Sequence, residues 1–271
     1  MEEYVLSMRR IPFSEEQNIQ VDILRFLDLV CKKEKLNYYL AYGTLIGAIR
    51  EGKIIEWDDD IDVWMPRADC ERLAEVFEKY NTENKYFLQT TITEKWMPAP
   101  GMYRICVNGT CKWNDKIYKN AKFNTGIYFD IFPLDYAPEN ILIEKIKSNI
   151  CRICNTLIYL KIYDECTLYT MKDKIVKMLS TILPYRVLSL VVTNIYRTKK
   201  LNKNRFICYP SSVIYPNNVF DTTDYDVIFV DFEGLSCPCP KGYDRILTAR
   251  YGEWRIPNNT KQKCESAYYI P

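Results

Sequence analysis

Asp60-Ile61-Asp62-Val63 interleaves two carboxylates with two β-branched apolar residues, and Trp64-Met65 carries the run on to Pro66. Successive side chains of a strand take opposite faces, so a strand over Asp60 to Met65 puts both carboxylates on one side and Ile61 and Val63 on the other. The chain must then build a sheet with one side on a core and anions gathered on the other. Two such charges about 6.6 Å apart along the strand repel by about 2.5 kcal/mol at an effective dielectric near 20. That is a sizeable part of the roughly 5 to 15 kcal/mol that holds a domain together. A solvated turn accounts for Asp58 and Asp59 just ahead of the run. It accounts badly for Asp inside an apolar alternation, because Asp is depleted in strands. A hard divalent cation would remove the repulsion, and carboxylates that leave room for a substrate phosphate are how proteins hold magnesium.

A second stretch repeats the pattern. In GIYFDIFPLD, Gly126 to Asp135, residues Tyr128, Asp130 and Phe132 share one face and Ile127, Phe129 and Ile131 the other. Asp130 is thus a third carboxylate within a strand. Histidine is absent altogether, so acid-base work falls to carboxylates, Lys, Tyr, Cys or metal-bound oxygen. The eleven cysteines follow no framework spacing, which suggests reduced thiols in a cytoplasm. Cys151 and Cys154 with Cys237 and Cys239 make a four-thiolate zinc site conceivable, although the first pair lies in a helical-looking region and Pro238 splits the second. MEEYVLSMRR lacks a basic start followed by an apolar run, so no secretory signal is expected. No stretch reaches the 18 or so apolar residues of a membrane span. At 271 residues, 48% of them hydrophobic, the chain is long enough for one large domain or two small ones with a proper core.

The pattern along the chain is mixed. Ser14-Glu15-Glu16-Gln17 matches a capping box, and the apolar spacing behind it predicts a helix from about 15 to 34. YYLAY, Gly43-Thr44 and LIGAIR read as strand, tight turn and short helix. Leu73, Val76, Phe77 and Tyr80 mark a second helix, begun near Pro66 to Asp69. Further strands are expected at 86–89, 102–107, 126–135 and 227–232, and a last helix near 243–251. From 140 to about 205 the pattern is helical. Within it, Met171 to Arg205 carries nine Lys or Arg against one acid, Asp173, in a chain whose net charge is only +2. A solvated helical face explains such a run; peripheral contact with an anionic membrane surface is the functional alternative. The expected organisation is a core over 1–139, a basic helical insertion over 140–205, and a segment over 206–271 that returns to the core.

A glycine-containing turn after a strand, D-x-D in a neighbouring strand and a third Asp in a later one follow the order of parts in the nucleotidyltransferase fold. The stretch YGTLIGAIREGKIIEWDDDIDVWMPRADCERL, Tyr42 to Leu73, further resembles the signature of the LicD family, bacterial phosphocholine transferases related to fukutin and fukutin-related protein. YRICVNGT, GIYFDIFPLD and KGYDRILTARYGEWRIP extend the match. The chain departs from many members at Glu51, where they have His, and at Glu56, where they have Pro.

The resemblance implies a mixed α+β, nucleotidyltransferase-like core: a mixed sheet flanked by helices, here with the basic insertion added. It implies metal-dependent transfer of a phospho-alcohol, most simply phosphocholine, from CDP-choline or another CDP-alcohol to a hydroxyl of a cell-surface glycan or its lipid-linked precursor, as in teichoic acid or lipopolysaccharide modification. CMP would leave. By the same analogy Asp60, Asp62 and Asp130 would be the catalytic carboxylates that hold Mg2+ or Mn2+, with Asp130 either ligand or general base. Gly43, Thr44, Arg50, Trp57, Asp58, Asp59, Arg104, Tyr251 and Trp254 would line the donor site. The expected place of work is the cytoplasm or the inner face of the cell membrane, with no nucleic-acid partner. Two other readings share the pattern: a nucleotidyltransferase moving NMP from NTP, and a non-catalytic binding protein of the same fold.

Overall fold

The computed structural model describes residues 8–113, 123–163, 171–195, 201–208, 219–257 and 266–270. A short strand β1 (Arg9–Ile11) leads into α1 (Phe13–Glu34), which buries Ile23, Leu24, Leu27 and Val30. Acids in its first turn and lysines in its last suit the helix dipole. The capping box does not form. The helix begins at Phe13 behind Pro12, whose carbonyl accepts from the Glu15 and Glu16 amides, and the Gln17 side chain bonds elsewhere. β2 (Tyr39–Leu40) runs straight into α2 (Tyr42–Glu51), so Gly43 and Thr44 lie in the first helical turn rather than in a separate turn. β3 (Asp62–Pro66) and α3 (Arg67–Tyr80) follow, then β4 (Tyr86–Gln89), β5 (Tyr103–Val107), β6 (Thr110–Trp113) and β7 (Tyr128–Pro138).

The main sheet has the order β2-β3-β7-β5-β4. β3 and β7 are parallel, with Asp62 opposite Asp130; β5 is antiparallel to β7, with Arg104 opposite Asp130. The sheet is therefore mixed, and helices flank it. Half-buried Arg67, at the start of α3, pairs with both oxygens of buried Asp135 at 2.8 and 2.6 Å and ties that helix to β7.

The chain continues through α4 (Ile141–Tyr163), α5 (Met171–Ile182) and α6 (Tyr185–Asn194). The helical stretch stops there. Residues 201–205, expected as helix, belong instead to β8 (Leu201–Cys208), which is antiparallel to the second half of β7 and also pairs with β9 (Val219–Asp221). The β10–β11 hairpin (Val227–Phe232, Leu235–Pro240), α7 (Tyr243–Tyr251) and β12 (Ser266–Tyr269) complete the fold, and β12 joins β1 and β6 in a small second sheet. Phe232, Cys237, Cys239 and Trp254 belong to the same core as Leu24, Ile61 and Val63. Cys151 and Cys154 sit in two other apolar clusters, so the four thiols do not converge, and burial raises the pKa of each.

Candidate active site

The acidic run is a loop pinned through its backbone. The Gln17 amide donates to the carbonyls of Ile55 and Asp58 at 3.3 and 3.0 Å, and Gln20 donates to that of Asp59 at 2.6 Å. Lys112, on β6, is fully buried. Its ammonium reaches the Asp59 carbonyl at 2.8 Å, the Asp59 carboxylate at 3.0 Å and Glu16 at 3.2 Å. Oxygens of Asp58, Asp59 and Asp60 come within 4.8 Å of one another.

Strand β3 starts at Asp62, not at Asp60. Asp60 thus reaches Asp62 from a loop, and the face-sharing argument for that pair gives way to a tertiary one. The Asp62 amide donates to the Thr44 hydroxyl at 2.9 Å, and the Asp130 amide donates to the Ile61 carbonyl at 3.1 Å. Arg104 grips Asp130 through two parallel bonds of 2.6 and 2.8 Å and lies 3.8 Å over the Tyr128 ring. Oδ1 of Asp62 is buried with no hydrogen-bond partner among the described residues.

Burial, then Asp60 and Asp59, push Asp58 up to about 8. Asp60 is raised to about 6 by burial, Asp59 and Asp130. Asp62 is raised by burial and then by Asp60, Asp130 and Asp58. An unpartnered buried carboxylate oxygen beside other carboxylates fits a hard divalent cation, because such an ion both fills the vacant lone pair and offsets the charge.

The N-terminal end of α2 meets this cluster. A Cβ on Gly43 would stand 2.7 Å from Oδ2 of Asp58, so only glycine leaves that carboxylate its place. Tyr42, the first residue of α2, has φ 50, a conformation that costs a bulky residue about 1 to 3 kcal/mol. Edge contacts with Trp64 and Phe132 hold it, and the Arg250 guanidinium stacks 4.0 Å from its ring centre. Tyr251 is half exposed, and its phenol is pushed up to about 12 by desolvation, with Asp62 and Asp58 adding to the rise. Trp57 is half-buried against the core.

Other residues singled out in the sequence have different company. Arg50 pairs with Glu51 at 2.6 Å. Trp254 is buried and donates its indole N–H to Thr248, which braces α7. Arg104 is held inside the carboxylate site by Asp130. Three participants were not anticipated: Lys112, Arg250 and the polar row Glu16, Gln17 and Gln20 of α1. The row left one trace in the sequence, since Glu16 and Gln20 fall at helical spacing with the buried Ile23 and Leu27.

Comparison with known proteins bears on the same region. Residues 35–141 match the family described as LicD/FKTN/FKRP, nucleotidyltransferase domain. Over 81 residues the chain is 41% identical to the lipopolysaccharide cholinephosphotransferase LicD of Haemophilus influenzae, a match covering 28% of this chain and 31% of that protein. The resemblance to the LicD family is thus shown for the segment that holds α2, β3 and the Asp130 portion of β7, and the match spans less than a third of that relative's length.

Proposed function

We propose that this chain moves phosphocholine from CDP-choline to a hydroxyl of a cell-surface glycan or its lipid-linked precursor and releases CMP. The observation that carries the reading is the unpartnered Asp62 oxygen, buried among Asp58, Asp60 and Asp130 beside the N-terminus of α2. Asp60 and Asp62, with Asp58 within reach, would hold Mg2+ or Mn2+. Such an ion, when bound, neutralises the donor pyrophosphate and stabilises the leaving oxygen.

The backbone amides at the first turn of α2 suit donor phosphates, and Gly43 keeps that approach open. Thr44 holds Asp62 through its amide. Arg104 occupies both oxygens of Asp130, which suits Asp130 to a fixed electrostatic role better than to that of a base. The acceptor oxygen bonds to the phosphorus that bears choline, the bond from that phosphorus to the bridging oxygen breaks, and CMP leaves with the electron pair. With no histidine in the chain, the proton of the acceptor hydroxyl passes to a carboxylate.

Choline cannot donate a hydrogen bond, so aromatic faces and a nearby anion must recognise it. Of the aromatics in the motif segments, Tyr42, Tyr103 and Trp254 are buried, and Tyr128 already carries Arg104 and Lys112 on its ring. Trp57, half-buried, and Tyr251, half exposed with Arg250 5.9 Å from its ring centre, are the two we assign to choline. Calorimetry with magnesium should show CDP-choline binding more tightly than CDP-ribitol or CDP-glycerol, and Trp57→Ala or Tyr251→Ala should erase the preference. Tighter binding of a polyol donor would overturn the choline assignment. Pyrophosphate released from an NTP, with no CMP from CDP-choline, would overturn the reaction class.

A further inference from the structure

Helices α4 and α6 bury one face each on a small core of Cys154, Leu157, Ile158, Tyr185, Leu188 and Val192, and Val176 of α5 packs against it. Other faces stay uncovered. On α4 the exposed row is Leu142, Ile146 and Ile150. On α5 it is Ile175, Met178, Leu179 and Ile182, spaced i, i+3, i+4 and i+7, and α6 adds Val187 and Leu190. This spacing belongs to a helix face with an apolar partner, and nine such side chains on three successive helices exceed the scattered hydrophobics of an ordinary surface.

The charge around the rows identifies the partner. Between residues 141 and 195 the sequence has eight Lys or Arg against four acids. Lys145 and Lys147 fall about 100° to either side of the α4 row on a helix of 3.6 residues per turn, and exposed Lys174 adjoins Ile175 on α5. None of the nine row residues is aromatic, whereas protein interfaces concentrate Trp, Tyr and Arg at their centres. Apolar rows edged by cations, with long stems able to lie along them, suit an anionic lipid surface.

The bend between α5 and α6 and the composition of the single helices favour lying on that surface. The 12 residues of α5 and the 10 of α6 reach only about 18 and 15 Å, against a hydrocarbon core of about 30 Å, and the two meet at a bend of 94°. Among the described residues no single helix is long and apolar enough to span. We propose that α4, α5 and α6 seat the protein on an anionic bilayer, with their apolar rows entering shallowly and the flanking Lys and Arg meeting lipid phosphates. Arg205 lies beyond these helices on β8, and Arg197, Lys199 and Lys200 lie outside the described residues. Seating requires neither donor nor divalent cation, so its failure and the failure of the proposed transfer are separable.

The test is co-sedimentation of the full chain with vesicles of phosphatidylcholine alone and of phosphatidylcholine mixed with phosphatidylglycerol. Binding should favour the anionic vesicles and weaken with salt. Lys174→Glu should lower it several-fold, given roughly fivefold per cation at an anionic surface. The double variant Ile175→Glu, Leu179→Glu should lower it at least tenfold while CMP release in lipid-free solution and the melting temperature stay at wild-type values. Equal recovery in the supernatant with both vesicle types would overturn the proposal. So would full binding by the double variant, or a stable dimer in sedimentation equilibrium that the double variant dissociates, since the rows would then face a second copy.

Discussion

Asp62 and Lys112 serve the same acidic cluster under opposite rules. Asp62 is one anion too many in the metal-free chain, so Asp62→Asn, and likewise Asp60→Asn, should leave thermal stability unchanged or raised. Turnover should fall by more than the roughly 10- to 100-fold that loss of an outer partner of a metal site costs. Magnesium should no longer shift the melting temperature of either variant, and near wild-type CMP release with saturating magnesium would count against the site. Lys112 is the reverse case. Lys112→Met strands Glu16 and Asp59, and losing one partner of a buried ion pair costs about 3 to 5 kcal/mol. The lower end applies because the Asp59 side chain is 26% exposed. Urea unfolding checks this, and adding Glu16→Gln should restore part of the loss. The raised carboxyls also set a pH dependence. Near pH 4 and below, folded and unfolded chains both hold these protons; as pH rises, the unfolded chain releases them first, while Asp60 and Asp58 keep theirs to about 6 and about 8. Folding stability of the metal-free protein should therefore fall between about pH 4 and 8, and the fall should be shallower in Asp58→Asn.

At the scale of elements, α2 and the acidic loop form one device. Gly43→Ala should scarcely change stability, because the atom its Cβ meets is the movable end of Asp58. The carboxylate must shift, and a displacement of about 1 Å in a catalytic constellation can cost about 100-fold. Steady-state assays beside melting curves separate the two effects. Elements with a clean period were legible in the sequence: β4, β10 and α7 have the expected bounds because alternation or helical spacing alone defines them. β8 was not. Its Lys and Arg read as a solvated helix, and what makes it a strand is β7, more than sixty residues earlier in the chain. The site divides in the same way. Asp62 and Asp130 stood out as anions within apolar runs. Nothing in the sequence singled out Lys112, since its burial is settled by Glu16 on a distant helix. Arg104 and Trp254 were read as donor contacts because residue type announces a chemistry, whereas the partner that absorbs it is a tertiary fact.

Across the whole molecule, the segment that resembles the LicD family is not a complete folding unit. Its strands share a core with α1 ahead of it and with Phe232, Cys237 and Trp254 far behind it, and half of β7 pairs with β8. A fragment of residues 35–141 should fail to fold, with ANS binding and poor amide dispersion where the full chain shows neither. The same dependence has a consequence during synthesis. At about 5 to 20 residues per second, the β10–β11 hairpin leaves the ribosome several seconds or more after β7. Throughout that delay β3 already lies between β2 and β7, but the core beneath the sheet lacks Phe232, Cys237 and Trp254 and its apolar surface is open to a neighbouring nascent chain. Asp58, Asp59, Asp60 and Asp62 stand at the start of β3 on every copy, and like charges brought together repel. The crowding that the mature site must later offset thus keeps half-made copies of the protein apart.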